Sequence, residues 1–287
     1  QTRPRRRPEE RNRGIQFGHR QRQCMSYRGI VLDVDGTVVR GDEPIPGAAA
    51  GLDAIADANL DRVFLSNNPT ARPAAYESRF ETAGFAVGRE EVFTAGTLTT
   101  RYLRDEHAAD RLFVIGESGL KDQLRGADLT LVDEPEAAET LVASIDRGFG
   151  YESLCDAIVA LDRPIPFIGT DPDTVIPHDG SNRPGSGAII HAIEGVASRE
   201  VDRICGKPSA LARRTVRNYL GHPADDCLVV GDRLDTDIQL GAAAGMTTVL
   251  VRTGVTDDET LAASPIDPDY VLDSLAELNR VLDGRAD

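Results

Sequence analysis

The chain has 287 residues, 40% of them hydrophobic and 28% charged, and a formal net charge of −15. This length corresponds to about two globular domains, and the acidic balance argues against a general nucleic-acid-binding protein, whose surface would be basic. No apolar stretch approaches the length of a membrane span, and the four cysteines form no CxxC pair, so we expect a cytoplasmic protein without a zinc site or a disulfide framework.

The charge is distributed unevenly along the chain. Residues 1–24 contain eight arginines and two glutamates, a net charge of +6, whereas the remainder carries a net charge of −21. These first residues show almost no apolar periodicity, and we interpret them as a disordered basic extension before Met25, with a basic arm for an anionic partner as the alternative. The acidic remainder contains only two lysines, Lys121 and Lys207, which favours a halophilic protein whose charge repulsion is screened by salt.

Short apolar runs that end in polar residues predict buried strands alternating with helices. In the first part of the chain they predict a strand at Gly29–Val34, a helix at 47–59, a strand at Arg62–Leu65 and a helix at 71–83. Near the C-terminus they predict a strand at Cys227–Val230, a helix at 236–244 and a strand at Thr247–Val251. Such alternation indicates an α/β protein with a parallel sheet.

The stretch between these two parts has its own alternation. Strands are predicted at Leu112–Ile115, Leu141–Ile145 and Ile165–Ile168, with helices at 151–161 and 187–197. We therefore expect a second α/β domain inserted into the first. The predicted boundaries are residues 25–94 and 204–287 for the core and 95–203 for the insertion.

Polar residues follow three of the predicted core strands, at the edge where an open parallel sheet binds ligands. Asp33 and Asp35 are two positions apart, so their side chains leave an extended backbone on the same side and address one site. Further carboxylates there are costly unless a cation such as Mg²⁺ is present or some of the carboxylates are protonated. Lys207, before a proline, is a candidate phosphate ligand. The full set of candidates is Asp33, Asp35, Ser66, Asn67, Asn68, Lys207, Asp232 and Asp237.

Each pattern by itself has an ordinary structural interpretation, because aspartate, asparagine and serine after a strand commonly cap turns and helices. Their conjunction in this order, each at the end of a strand or at a loop junction, is far more specific. The four elements resemble, in order, the four motifs of the haloacid dehalogenase (HAD) superfamily. The arrangement is similar to the NagD-like class IIA branch, which includes 4-nitrophenylphosphatases.

The resemblance runs from about Tyr27 to the C-terminus and includes Phe167–Val175, Pro184–Ile189 and Val229–Leu240. It implies a Rossmann-like parallel-sheet core with an inserted α/β cap domain. It also implies a Mg²⁺-dependent phosphatase that hydrolyses a small phosphate monoester of the sugar phosphate, nucleotide or phosphoglycolate type. Relatives commonly form dimers through the cap, so a homodimer is a further expectation.

The resemblance also implies catalytic roles. Asp33 is the expected nucleophile, which forms an aspartyl-phosphate, and Asp35 is the expected general acid and base. Ser66 and Lys207 are expected to hold the phosphoryl oxygens while Lys207 offsets negative charge around Asp33.

The same resemblance assigns the remaining candidates. Mg²⁺ is expected to bind the Asp33 carboxylate, the Asp35 backbone carbonyl and Asp232. Asp237 is expected to orient Lys207 or a metal-bound water rather than to bind the metal directly. The phosphate pocket is expected to be lined by Asn67 and Asn68.

One departure from the family lies in the insertion, where many members have Thr-Asn-Pro-Asp and this chain has Thr170-Asp171-Pro172-Asp173. The extra carboxylate either lies in the crevice between cap and core, where it would disfavour strongly anionic leaving groups, or belongs to the acidic surface. The overall acidity favours the surface interpretation.

Other function classes stay open. One alternative is a phosphotransferase or phosphomutase on the same fold. Another is a non-catalytic HAD-like binding protein, which the presence of both Asp33 and Asp35 disfavours. A nucleotide-binding oxidoreductase is disfavoured because no GxGxxG follows the first strand.

Overall fold

The computed structural model describes residues 27–178 and 181–284, so the predicted extension at residues 1–24 lies outside the described residues. Within these ranges the strands are β1 (Gly29–Leu32), β2 (Val39–Arg40), β3 (Glu43–Pro44), β4 (Asp61–Ser66), β5 (Val92–Thr94), β6 (Arg111–Ile115), β7 (Thr130–Val132), β8 (Thr140–Ala143), β9 (Phe167–Gly169), β10 (Val175–His178), β11 (Ser181–Pro184), β12 (Arg203–Ile204), β13 (Cys227–Gly231), β14 (Thr247–Val251) and β15 (Tyr270–Leu272). The helices are α1 (Ala48–Asp57), α2 (Pro73–Thr82), α3 (Ala95–Glu106), α4 (Ser118–Arg125), α5 (Tyr151–Leu161), α6 (Ser186–Ala197), α7 (Ala210–Leu220), α8 (Gln239–Ala244), α9 (Asp258–Ala263) and α10 (Leu278–Leu282).

Six strands form a parallel core sheet in the order β15-β14-β13-β1-β4-β5. Alternate residues of β1 pack on opposite faces: Ile30 and Leu32 join a hydrophobic cluster with α1 and α2, whereas Val31 joins a cluster with α3 and α7. Burial on both faces explains why the strands are nearly continuous apolar runs. The predicted parallel core with flanking helices is confirmed.

The inserted segment forms a second parallel sheet in the order β12-β9-β8-β6-β7. Helices α5 and α6 cover one face of this cap sheet, where they pack on Phe113, Leu141 and Phe167. The other face packs with α4 in a cluster that also contains core residues, so cap and core share hydrophobic contacts. The predicted fold, a core with an α/β cap inserted between β5 and β13, is confirmed.

Two antiparallel hairpins border the space between the sheets. The β2–β3 hairpin follows β1 directly, and the β10–β11 hairpin belongs to the cap. Both hairpins contribute residues to one cleft, at the edge of the core sheet where β1, β4 and β13 end. Among the described residues no helix has the length and apolarity needed to cross a membrane. The three cysteines in these ranges are free thiols.

Candidate active site

A cleft with a volume of about 1040 Å³ lies between the core and the cap. Every candidate residue from the sequence lines it except Asp237, which is buried beside it and contacts Lys207. The cap contributes Ile145, Arg147, Asp171, Asp173, Ile176, Pro177, Ser181, Asn182, Gly185 and Ser186 to the lining. The strand ends therefore meet where the parallel topology places them.

Lys207 lies between two buried aspartates. Its Nζ donates to Oδ1 of Asp33 at 2.6 Å and to Oδ1 of Asp237 at 2.6 Å. The other oxygen of Asp33 accepts a hydrogen bond from Thr37 Oγ1 at 3.2 Å. Burial alone would lower the pKa of Lys207, but the carboxylates of Asp237 and Asp33 outweigh it, and the pKa is raised. Lys207 is therefore a permanent cation at the base of the cleft.

Asp232 brings a third carboxylate to this point. One oxygen from each of Asp33, Asp232 and Asp237 lies within 4.8 Å of the others, and all three side chains are buried. Burial raises the pKa of Asp232, and repulsion from Asp33 and Asp237 raises it further. One ammonium group cannot neutralise three carboxylates, so the set retains an excess of negative charge. A buried cluster of oxygen ligands with this excess is compatible with a metal ion.

The backbone around Asp232 is shaped to fit its carboxylate. Gly36 has φ +97°, a left-handed conformation that favours glycine, and a β-carbon at Gly36 or Gly254 would overlap the Asp232 side chain. The N–H of Val255 donates to the same carboxylate at 2.7 Å. A single π-helical turn at Leu234–Ile238 then carries Asp237 back toward Lys207. Such turns are frequent at functional sites.

Asp35 also lines the cleft, but its carboxylate does not join the three-carboxylate cluster. Its side chain is 50% exposed, and Oδ1 accepts a hydrogen bond from Arg79 Nη2 at 2.7 Å. Asp33 and Asp35 both line this cleft, as expected of two residues that address one site, although β1 ends at Leu32, before either of them. Partial desolvation raises the pKa of Asp35, while Arg79 lowers it.

Ser66, Asn67 and Asn68 follow β4 in the cleft. Ser66 Oγ is 2.8 Å from the buried Tyr76 hydroxyl and accepts the Asn68 N–H at 3.1 Å. The Asn67 amide pairs with both main-chain groups of Lys207, accepting its N–H at 2.7 Å and donating to its carbonyl at 3.2 Å. Oδ1 of Asn68 accepts the backbone N–H groups of Thr70 and Ala71, as a turn-capping residue does.

The two aspartates of the Thr-Asp-Pro-Asp segment are buried in the cleft wall, so the surface interpretation of Asp171 is wrong. They follow the cap strand β9, whose carboxyl end faces the core. Burial and repulsion from Asp173 raise the pKa of Asp171 to about 7. Oδ1 of Asp173 accepts from Asn67 Nδ2 at 3.2 Å, and Oδ2 lies 3.7 Å from Arg233 Nη1. Asp173 thus connects the cap to two loops of the core.

Arg233, Tyr76 and Arg79 contact other residues of the site and were not among the candidates. Arg233 follows Asp232 directly, and its position within the run Gly231–Asp237 is a signal that could have found it. Tyr76 and Arg79 are three positions apart, on one face of α2. Nothing in a single sequence distinguishes them from other helix residues, because their contacts depend on where α2 packs.

Family comparisons agree with this geometry. Residues 30–130 match the model of the haloacid dehalogenase-like hydrolase family, and residues 204–278 match a second HAD-hydrolase-like model. The dihydroxyacetone phosphatase of Corynebacterium glutamicum is 32% identical over 86% of this chain and 89% of that protein. The sugar-phosphatase AraL of Bacillus subtilis is 31% identical over 90% of this chain and 94% of that protein.

Solved structures show the same similarity in three dimensions. A p-nitrophenyl phosphatase from Archaeoglobus fulgidus superposes with a TM-score of 0.83 at 34% identity, covering 89% of this chain and 99% of that one. NagD from E. coli K-12 superposes with a TM-score of 0.77 at 29% identity, covering 88% of this chain and 98% of that one. The chain belongs to the haloacid dehalogenase-like hydrolases, in their NagD-type branch of phosphatases.

Proposed function

We propose that this phosphatase hydrolyses a small phosphate monoester through an aspartyl-phosphate on Asp33. The observation that carries the proposal is the buried Lys207 ammonium, held at 2.6 Å from both Asp33 and Asp237 at the base of the cleft. The ammonium offsets negative charge around Asp33, and a carboxylate oxygen is a competent nucleophile toward phosphorus. The same cation stabilises negative charge on the phosphoryl oxygens.

The reaction divides into two displacements. A carboxylate oxygen of Asp33 attacks phosphorus while the bond from phosphorus to the leaving-group oxygen breaks, and Asp35 gives its proton to that oxygen. Asp35, now ionised, takes a proton from water, whose oxygen attacks phosphorus and releases Asp33 and inorganic phosphate. Desolvation raises the pKa of Asp35, and the facing Arg79 opposes that shift.

Ser66, Asn67 and Asn68 are the proposed walls of the phosphate pocket. The Ser66 hydroxyl is fixed by Tyr76, which supports a role as a hydrogen-bond donor to a phosphoryl oxygen. The side chains of the two asparagines already have protein partners. For these residues we therefore propose that the main chain meets the phosphoryl group, while the Asn67 side chain holds Lys207 in place.

We propose Mg²⁺ as the cofactor. Three buried carboxylates beside a single ammonium suit a hard divalent cation with oxygen ligands. The proposed ligands are the Asp33 carboxylate, the Asp35 backbone carbonyl and Asp232, while Asp237 orients Lys207. When bound, the ion supplies Lewis-acid neutralisation of the phosphoryl oxygens.

Similarity to a dihydroxyacetone phosphatase and to a sugar-phosphatase supports a small phosphate ester as substrate. We propose a cytoplasmic enzyme without nucleic-acid or membrane partners, in keeping with its acidity and free thiols. A homodimer and a halophilic salt response are further parts of this proposal. We also propose residues 95–203 as the cap unit, because this range contains every strand of the second sheet except Ile204, the last residue of β12.

The test is phosphate release from a panel of phosphate esters that includes 4-nitrophenyl phosphate, with Mg²⁺ or EDTA and at low and high KCl. We expect release that requires Mg²⁺ and is lost in Asp33→Asn. A phosphomutase or phosphotransferase would instead pass the phosphoryl group to an added sugar hydroxyl faster than to water. A folded protein that releases no phosphate at either salt concentration would contradict the proposal.

A further inference from the structure

Arg79 lies on α2, outside the three-carboxylate cluster, yet its side chain is directed to the active-site cleft. Only 19% of the side chain is exposed. Its Nη2 donates to Oδ1 of Asp35 at 2.7 Å. Among the described residues, this is the side-chain hydrogen bond that the Asp35 carboxylate receives, so Arg79 determines where that carboxylate lies.

The same guanidinium group holds the turn between β2 and β3. Nε donates to the Gly41 carbonyl at 3.1 Å and Nη2 donates to it at 2.5 Å. Nε also lies 3.7 Å from a carboxylate oxygen of Asp42. The planar, rigid fork of arginine suits this simultaneous contact with a carboxylate and a turn, which a single ammonium group cannot reproduce.

The side chain of Arg79 is itself held in place by the ring of Tyr76. Its guanidinium carbon lies 5.0 Å from the centre of the Tyr76 ring, in a cation–π contact. Tyr76 is fully buried, and its hydroxyl is 2.8 Å from Ser66 Oγ. Asp35 is therefore connected through Arg79 and Tyr76 to the phosphate side of the cleft, which is the kind of support that holds a catalytic group in productive geometry.

We propose that Arg79 is a positioning residue that selects the oxygen from which Asp35 gives its proton to the leaving group. Arginine has donors and no acceptor, so Oδ1 accepts from it, and because the carbonyl oxygen of a carboxylic acid is a stronger acceptor than its hydroxyl oxygen, this contact favours the acidic proton on Oδ2. As the bond from phosphorus to the leaving oxygen breaks, that proton passes from Oδ2 to the departing alkoxide. The inference rests on the proposed function, in which Asp35 is the general acid.

The leaving group provides the readout. An alkoxide departs slowly unless it is protonated, whereas 4-nitrophenolate departs without much help, so a misplaced general acid penalises alkyl phosphates selectively. The value of kcat/KM reports on the steps up to departure of the alcohol. The readout is the ratio of kcat/KM for glycerol 1-phosphate to kcat/KM for 4-nitrophenyl phosphate. This ratio does not depend on the folded fraction of a preparation.

For Arg79→Gln we expect kcat/KM to fall on the order of 30-fold for glycerol 1-phosphate and less than about threefold for 4-nitrophenyl phosphate. Arg79→Lys keeps the charge but loses the forked contact, and we expect a ratio reduced about threefold to fivefold. The matched control is Arg89→Gln. Arg89 is an exposed arginine outside α2 that lies 3.5 Å from Glu77 of α2, and its substitution should leave the ratio unchanged.

Asp35→Asn and the double variant distinguish the general-acid role of Asp35 from the positioning role of Arg79. Asp35→Asn should lower the ratio at least as much as Arg79→Gln, and adding Arg79→Gln to it should lower the ratio no further. If Asp35→Asn lowers the ratio but neither Arg79 variant does, the positioning role is wrong and Asp35 remains the general acid. If Asp35→Asn leaves the ratio unchanged, the general-acid role in the proposed function is wrong, and this inference fails with it.

Discussion

The core and the cap each bring buried aspartates to the same cleft, at the carboxyl edges of two parallel sheets, but they balance the charge differently. In the core, Asp33 and Asp237 share the ammonium of Lys207 at 2.6 Å. In the cap, Asp171 is surrounded by hydroxyl and amide donors, including Thr170 Oγ1 at 2.9 Å. Asp173 has a cation only at 3.7 Å, the core residue Arg233.

The two edges therefore differ in the groups that face their carboxylates, an ammonium group in the core and mainly uncharged donors in the cap. Burial raises the pKa of the cap residue Asp171 to about 7, so near neutral pH a large share of it carries a proton. In the core, the ammonium of Lys207 lies 2.6 Å from Oδ1 of Asp33. The core edge is thus suited to nucleophilic chemistry and metal binding, and the cap edge to hydrogen bonding with the substrate and the core.

The largest expected effect comes from removing the nucleophile at the core edge. Asp33→Asn keeps the size of the side chain and its contact with Thr37 but removes the attacking carboxylate. We expect turnover to fall by at least about a thousandfold while the circular dichroism spectrum stays unchanged. Turnover of a purified Asp33→Asn protein at the wild-type level would show that the core edge does not hold the nucleophile.

Replacing Lys207 should leave the buried carboxylates of the core without an ammonium partner, as Asp171 is in the described part of the cap. Lys207→Met leaves three buried carboxylates without their ammonium partner, which we expect to lower the free energy of unfolding by about 3–5 kcal/mol near neutral pH. Denaturant titration measures this loss.

The matched control for Lys207→Met is Lys121→Met, which changes the other lysine of the chain, a half-buried residue without an ion pair in the described ranges. It should change the free energy of unfolding little. Equal stability of the two variants would mean that Lys207 does not compensate the carboxylates.

A smaller effect is expected where the cap contacts the core. Asp173→Asn keeps an oxygen for Asn67 but removes the charge that faces Arg233. We expect KM to rise about fivefold, with a smaller change in kcat, because a partly buried ion pair of about 1 kcal/mol no longer holds the cap closed over the substrate.

Steady-state kinetics of Asp235→Asn provide the comparison for Asp173→Asn. Asp235 is an exposed core residue that contacts the same arginine at 3.4 Å without touching the cap. If both variants raise KM equally, Arg233 acts through its own loop and not through the cap.

The smallest effect concerns stability against pH at the cap edge. The unfolded chain releases the Asp171 proton near pH 4, but the folded chain keeps it until about pH 7, so this residue makes the wild type progressively less stable across that interval. Asp171→Asn removes this dependence. We expect its thermal midpoint to exceed that of the wild type by about 3–8 °C at pH 8 and to match it at pH 4. A gain of the same size at both pH values would be evidence against a buried acid with a raised pKa.

The sequence was most informative where the local pattern and the topology agree. The apolar runs of β1, β4, β13 and β14 predicted the core sheet, because a parallel strand that is buried on both faces is a nearly continuous apolar run in the sequence. The strand ends then placed Asp33, Ser66 and Asp232 at one edge. Lys207 belongs to a loop, and it was a candidate because it precedes a proline in a chain with only two lysines; the family motif then supported its role.

Other elements could not be predicted because their stability comes from packing. β5, β7 and β12 have two or three residues each, too few for a periodic signal. α4 is short and carries charge on its exposed face. The environments of Asp171 and Arg79 follow from the approach of cap to core and of α2 to the β2–β3 turn, which no local pattern records.

The central claim is that Asp33 carries the phosphoryl group during turnover. It is tested most directly by mixing the enzyme with a phosphate ester labelled at phosphorus, quenching in acid within the first turnover and counting label on the protein. An acyl phosphate survives acid and is released by hydroxylamine, so we predict hydroxylamine-sensitive label on the wild type and none on Asp33→Asn. Full turnover without labelled protein, or equal labelling of Asp33→Asn, would contradict the mechanism.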